Sequence, residues 1–152
     1  MGRNGGEGPL EPRLQDALLG ELEESHCGMM PKSAFVNMAF AQRYRDAYLA
    51  DALVSAAGAH GAAVLLAGNG HVRLDRGAPL YLRQRVPARR IVSVMLEEAA
   101  QDAETAEAAD PQPHVARDPD GKPVADFVVL TARQERPDPC EEMRKARRTG
   151  KP

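Results

Sequence analysis

The chain has 152 residues, with 20 Lys plus Arg against 22 Asp plus Glu, a formal net charge of -2. That near-neutral balance gives no global field to hold a polyanion, which argues against a dedicated nucleic-acid binder. No apolar run approaches the roughly 20 residues that cross a bilayer, so no transmembrane segment is expected. Only 4% of the residues are aromatic and Trp is absent, so a core drawn largely from alanine is thin for this length.

Residues 1–9 are glycine-rich and polar, and are expected to be disordered. They carry no apolar stretch after the basic residue, so they do not read as a secretory signal. Leu10, Leu14, Ala17, Leu18 and Leu22 then recur at helical spacing. Cys27, Gly28 and Pro31 end that helix. Ser33 is the expected N-cap of a longer helix running to about Ala57, broken by the glycines of residues 58–61. Residues 62–67, a continuous apolar run between glycines, read as a buried strand of a parallel sheet. A tight loop over residues 68–71 follows, then a short helix over residues 79–85 with Pro in its first turn.

Residues 91–96 read as a second strand and residues 126–131 as a third. Between them, residues 99–122 are acidic and rich in Ala and Pro, the composition of a long exposed connection, with a turn at Asp120 and Gly121. Residues 143–152 are expected to be a basic, solvated, fraying tail. This order predicts an α/β class with a small, partly parallel sheet flanked by helices. Strands that are apolar on both faces need helical cover on both sides. Two long helices and one short one supply little of it, which points to a partner chain or a larger domain.

The second helix carries the most informative pattern. Phe35, Met38, Ala39, Leu49, Ala50 and Leu53 share one face, and Gln42 and Asp46 lie inside that stripe with Arg45 on its rim. Buried unpaired, such groups cost several kcal/mol. Either Asp46 pairs with a neighbouring element, or Gln42 and Asp46 point into a site. Tyr44 and Tyr48 fall on the opposite face, where they are surface tyrosines or face a ligand or a second copy.

His71 stands one loop past the end of the expected strand, the edge at which open α/β sheets collect ligands. Gly68 and Gly70 permit a sharp turn there, and Arg73, Asp75 and Arg76 follow. The segment is neither a dinucleotide fingerprint nor a P-loop, since the third glycine and the Gly-Lys-Ser/Thr ending are absent. Cys27 and Cys140 match no zinc or redox spacing, which favours two free thiols over one long-range disulfide. No HExxH, GxSxG or CxxC occurs, so the standard metalloprotease, serine hydrolase and dithiol readings have no support.

Four segments occur in a telling order: HCGMMP at residues 26–31, AQRYRDAYLA at 41–50, GNGHVRLDRGAPLYL at 68–82 and DPCE at 138–141. Together they resemble the ChaN-like haem-binding uptake family, within the wider group of erythromycin-esterase-like, TraB-like and Tiki-like proteins. The resemblance spans residues 10–142. It implies an α/β fold, haem as cofactor, and a role in bacterial iron acquisition alongside outer-membrane uptake components. Family proteins are exported or lipid-anchored, and form homodimers that enclose paired haems with a tyrosine ligand to iron and a histidine contact. Carried onto this chain, the resemblance makes Gln42, Arg45, Asp46, His71 and Arg73 pocket-lining residues, with His71 as the contact to the metal. Tyr44, Tyr48 and Tyr81 are the candidate iron ligands. Phenolate is a hard anionic donor suited to ferric haem.

Family members are nearly twice as long, so the chain reads as the C-terminal portion of a larger domain, and its compartment is left open. Two alternatives follow from the same residues. One is a metal-dependent hydrolase of the wider group using His71 and Asp46, which form an incomplete metal site by themselves. The other is a non-catalytic, incomplete domain that needs a partner chain.

Overall fold

The computed structural model describes residues 8–99 and 115–149. Most of the expected N-terminal disorder, most of the acidic connection and the last three residues of the tail lie outside the described residues. Helix α1, Pro12–Ser25, begins with Pro in its first turn, and the Glu11 carboxylate accepts from the Leu14 amide at 3.3 Å. Helix α2, Lys32–His60, starts one residue before the expected cap, so Ser33 lies inside the first turn. Extended Pro31 takes the cap position, and its carbonyl accepts from the Ala34 amide at 2.9 Å. Gly61, at φ 81°, ends α2 in the left-handed conformation that glycine adopts without a Cβ penalty.

A tight turn joins the two helices, with Cys27 and Gly28 both at positive φ. Cys27 bonds covalently to Cys140, which corrects the expectation of free thiols. Nothing in the sequence spacing reveals that pairing, because 113 positions separate the two cysteines and only the fold brings their Cα atoms to 5.6 Å. The tie holds helix α5, Pro139–Thr149, to the α1–α2 turn. The segment expected to fray is therefore helical through Thr149, although it buries no residue. Its first turn carries Glu141 and Glu142 and its last turn Arg147 and Arg148, the charge order that favours a helix dipole.

The loop expected over residues 68–71 runs into one helical turn, α3, Asn69–Val72, and the short helix is α4, Ala78–Arg85. Among the described residues the strands are β1, Val94–Glu98, and β2, Phe127–Thr131, parallel with Val94 opposite Phe127 and Leu96 opposite Val129. The ladder starts later than the expected 91–96 strand because Ser93 is diverted. Its amide donates to the Asp126 carboxylate, and its carbonyl accepts the amides of Asp126 and Phe127.

Residues 62–67 form no strand, which corrects the three-strand expectation. Among the described residues no neighbour pairs with their backbone, and Leu66 is 92% exposed. An apolar run is a strand only where a partner supplies the ladder. The outer sheet face, Val94, Leu96, Phe127 and Val129, is likewise exposed.

Among the described residues the buried side chains form two small cores. Leu10, Leu18, Leu22, Phe35 and Ala39 join α1 to α2, and Met95, Val124 and Ala125 pack beneath the sheet against Val72 and Val128. Fully buried Ala50 and Ala78 belong to α2 and α4, which pack together closely where side chains are small. No described helix is long and apolar enough to cross a membrane.

Candidate functional site

The glycine-rich segment is fixed from several sides. Asn69 donates from its amide to the Leu96 carbonyl and the Glu97 carboxylate, both at 2.8 Å, which ties α3 to the end of β1. The Leu74 amide donates to the Val124 carbonyl at 2.7 Å. Two glycines have steric reasons. A Cβ on Gly77 would stand 2.6 Å from the His71 carbonyl oxygen and 2.8 Å from that of Arg73. A Cβ on Gly70 would stand 3.1 Å from the Gln42 side-chain nitrogen. The segment therefore folds back on itself and lies directly against α2.

That contact joins two of the residues singled out in the sequence. His71 Nδ1 and Asp46 Oδ1 are 2.6 Å apart. Asp46 is 1% exposed, in the middle of the apolar face of α2. Burial pushes its carboxyl from 3.8 up to about 6, against the opposing influence of the His71 hydrogen bond and the charges of His71, Arg45 and Arg76. A carboxylate at Nδ1 fixes the imidazole as the tautomer that donates there. Nε2, which has no partner among the described residues, then carries the lone pair that can accept a proton or bind a metal. Gln42 completes this inner group beside Gly70.

Arg73 serves the architecture instead. It is buried and forms a two-pronged bond to Asp75 at 2.9 and 2.7 Å, with a further contact to Glu21 at 3.4 Å. Arg76 also pairs with Glu21, is 2% exposed, and sends its positive field to Asp46. Sequence reasoning placed Arg76 near the site without giving it a role. Glu21 gave no signal at all, since an acidic residue on the polar side of α1 looks like ordinary surface.

The three tyrosines occupy different places. Tyr44 and Tyr48 are 62% and 68% exposed on the outer face of α2. They continue a ridge with Val36 and Phe40, all four exposed and four residues apart. Tyr81 is 1% exposed, with the Arg85 guanidinium 5.6 Å above its ring. Arg45 is exposed at the rim between the two faces of α2. The eight sequence candidates thus divide into an inner group around Asp46 and His71, an outer pair of tyrosines, the rim residue Arg45, and the structural residues Arg73 and Tyr81. No group of three or more metal-ligating His, Cys, Asp or Glu side chains forms among the described residues.

A histidine held by a buried carboxylate, on a glycine-rich turn anchored beside the end of β1, is the candidate site of this small α/β protein. The chain belongs to the family described as haem-binding uptake, Tiki superfamily, ChaN, whose model matches residues 5–82. The match takes in α1, α2, the glycine-rich turn and the segment through Leu82. No curated protein and no solved structure matches the chain.

Proposed function

We propose that the chain binds haem on the outer face of α2 as part of bacterial iron uptake, with Tyr44 or Tyr48 as the iron ligand. The observation that carries this reading is the exposed ridge of Val36, Phe40, Tyr44 and Tyr48. Twelve helical rises from Val36 to Tyr48 make it about 18 Å long, enough to lie under a planar apolar macrocycle. Exposed apolar and aromatic ridges are uncommon on a monomer surface and mark contact sites. The donor set fits ferric haem: two accessible phenols sit in an apolar surround, and the exposed Arg45 can face a carboxylate at the rim. Tyr81 fits poorly, because ligation would require unpacking a buried ring from beneath Arg85. Haem bound here would supply a ferric centre for a phenolate to ligate, and the protein's part is to present that phenol on an apolar ledge. Two copies meeting through this ridge would cover it and enclose the ligand, which supports a homodimer. Export and outer-membrane partners belong to the same proposal through the family.

Hemin titration tests it. Wild type is expected to develop a Soret band and phenolate-to-iron charge transfer. The double variant Tyr44→Phe/Tyr48→Phe should lose the charge-transfer band, while Tyr81→Phe retains it. Unchanged spectra in the double variant would overturn the assignment.

A second reading rests on the contact between Asp46 and His71. An imidazole oriented by a buried carboxylate is the arrangement of a general base or metal ligand. Stoichiometric divalent metal in purified protein, without haem affinity, would favour a hydrolase of the wider superfamily.

A further inference from the structure

The apolar run of residues 62–67 forms no backbone hydrogen bond among the described residues. Val64 and Leu66 are 86% and 92% exposed, while Leu65 between them is half-buried. Alternate side chains therefore separate an open face from a face turned toward the body. Unpaired backbone beside large exposed apolar side chains is the combination that recruits another strand. The two ends of the run carry opposite charge. At its start, Arg89 donates to the Gly61 carbonyl at 3.2 Å, and Arg90 and His60 are the next residues along each chain segment. No acidic residue occurs in the sequence between Asp75 and Glu97. At the end of the run, Asn69 donates to the Glu97 carboxylate at 2.8 Å. Glu97 forms no ion pair among the described residues, whereas Glu98 is bound by Arg136.

We propose that residues 62–67 pair with the same residues of a second copy, as an antiparallel ladder about a two-fold axis at Leu65. The charges select the direction. Parallel pairing would set Arg89 against Arg89 and Glu97 against Glu97, whereas antiparallel pairing sets the basic end of each copy against the acidic end of the other. Face matching selects the register, because the open faces of both strands must lie on one side of the ladder. An axis at Leu65 places Val64 opposite the second copy's Leu66, so the two large exposed side chains cover each other. The same register places Gly61, which holds Arg89, opposite Asn69, which holds Glu97. A two-fold contact closes on itself, so the exposed edge ends in a pair of chains and not in an open stack. This contact is separate from the outer ridge of α2 and needs no ligand.

The test uses the full chain without hemin, so that its outcome is independent of the haem reading. Leu65→Cys and Ala62→Cys are oxidised separately and the products mapped by mass spectrometry. In this register the two introduced thiols at position 65 face each other across the axis, with Cα atoms about 4.5–5.5 Å apart. Those at position 62 stand six residues apart along the ladder, about 20 Å. A disulfide-linked dimer is expected from Leu65→Cys and not from Ala62→Cys. Sedimentation equilibrium of wild type should show a reversible dimer. Leu66→Lys should weaken it about tenfold or more, since the two-fold axis counts each substitution twice. Phe40→Glu, on the α2 ridge, should leave it unchanged. Circular dichroism checks that each variant folds. Equal cross-linking at positions 62 and 65 would overturn the proposal. So would a dimer lost in Phe40→Glu and kept in Leu66→Lys, which would place the contact on α2. Wild type that stays monomeric at every concentration would also overturn it, and would leave the run to a different polypeptide or to a lipid surface.

Discussion

Replacing Asp46 with Asn asks directly what the buried carboxyl does to stability. Asn has nearly the shape of a protonated aspartic acid, and its amide oxygen can still accept from His71 Nδ1. The folded carboxyl holds its proton more tightly than the unfolded one, at about 6 against 3.8. Its contribution to stability is therefore fully present below 3.8 and is lost as pH rises through about 6. At about 1.4 kcal/mol per pH unit, the displacement amounts to about 3 kcal/mol. Below 3.8, Asp46→Asn and wild type should be of similar stability. Above 6 the variant should be the more stable by about 3 kcal/mol. Urea unfolding followed by far-ultraviolet circular dichroism across that range measures the gap. A gap that does not change with pH would refute the reasoning, as would a variant less stable than wild type at neutral pH. The first result would mean that the contact with His71 balances the desolvation of the carboxylate, and the second that it outweighs it. A carboxylate kept at such a cost is more readily explained by function than by folding.

Gly77→Ala should lower stability by about 2 kcal/mol or more, read as a fall in melting temperature, because its Cβ would meet two backbone carbonyls that cannot swing aside. Reducing the Cys27–Cys140 bond should cost less than the roughly 4–5 kcal/mol that chain entropy assigns to so long a loop. Helix α5 buries no residue, and among the described residues its other hydrogen bond to the α1–α2 turn is Arg147 to the Met29 carbonyl at 3.4 Å, so reduction frees it in the folded state as well. Hydrogen exchange checks this: α5 amides should lose protection while those of α1 and α2 keep theirs, and protected α5 amides after reduction would contradict it. Phe40→Glu should weaken self-association in sedimentation velocity with hemin present, since it places a charge in the middle of the exposed ridge.

Helices α1, α2 and α4 were legible because their signals are local, whereas α3 was expected as a loop and α5 as a fraying tail. The apolar spacing of residues 10–22, Pro near the start of α4, and the glycines of residues 58–61 at the end of α2 each act within a turn or two. The inward position of Asp46 was legible for the same reason, since helical period alone places it between Ala39 and Ala50. Its partner was not, because His71 reaches it only through the folding back of the glycine-rich segment and the anchoring of Asn69 on β1. The expected strand over residues 62–67 failed because composition reports apolarity, whereas strand formation depends on a neighbour. The disulfide was invisible for a related reason, as it joins the α1–α2 turn to helix α5, which only tertiary structure brings together.

The two faces of α2 decide what His71 can do for haem. At 100° per residue, Asp46 lies about 160° around the helix from Tyr44, and a helix with its side chains is about 10 Å across. His71 is bound to Asp46 on the inner face. A tyrosine on the outer face and the histidine on the inner face of one copy therefore cannot both ligate one iron. Either a second copy brings its own histidine to the haem, or His71 serves a different step. Dilute protein separates these cases. With hemin bound to monomer, His71→Ala should leave the phenolate charge-transfer band in place, while Tyr44→Phe/Tyr48→Phe removes it. If His71→Ala abolishes that band while circular dichroism shows an intact fold, haem must sit on the inner face beside Asp46. The outer ridge would then be a contact surface and not the haem site.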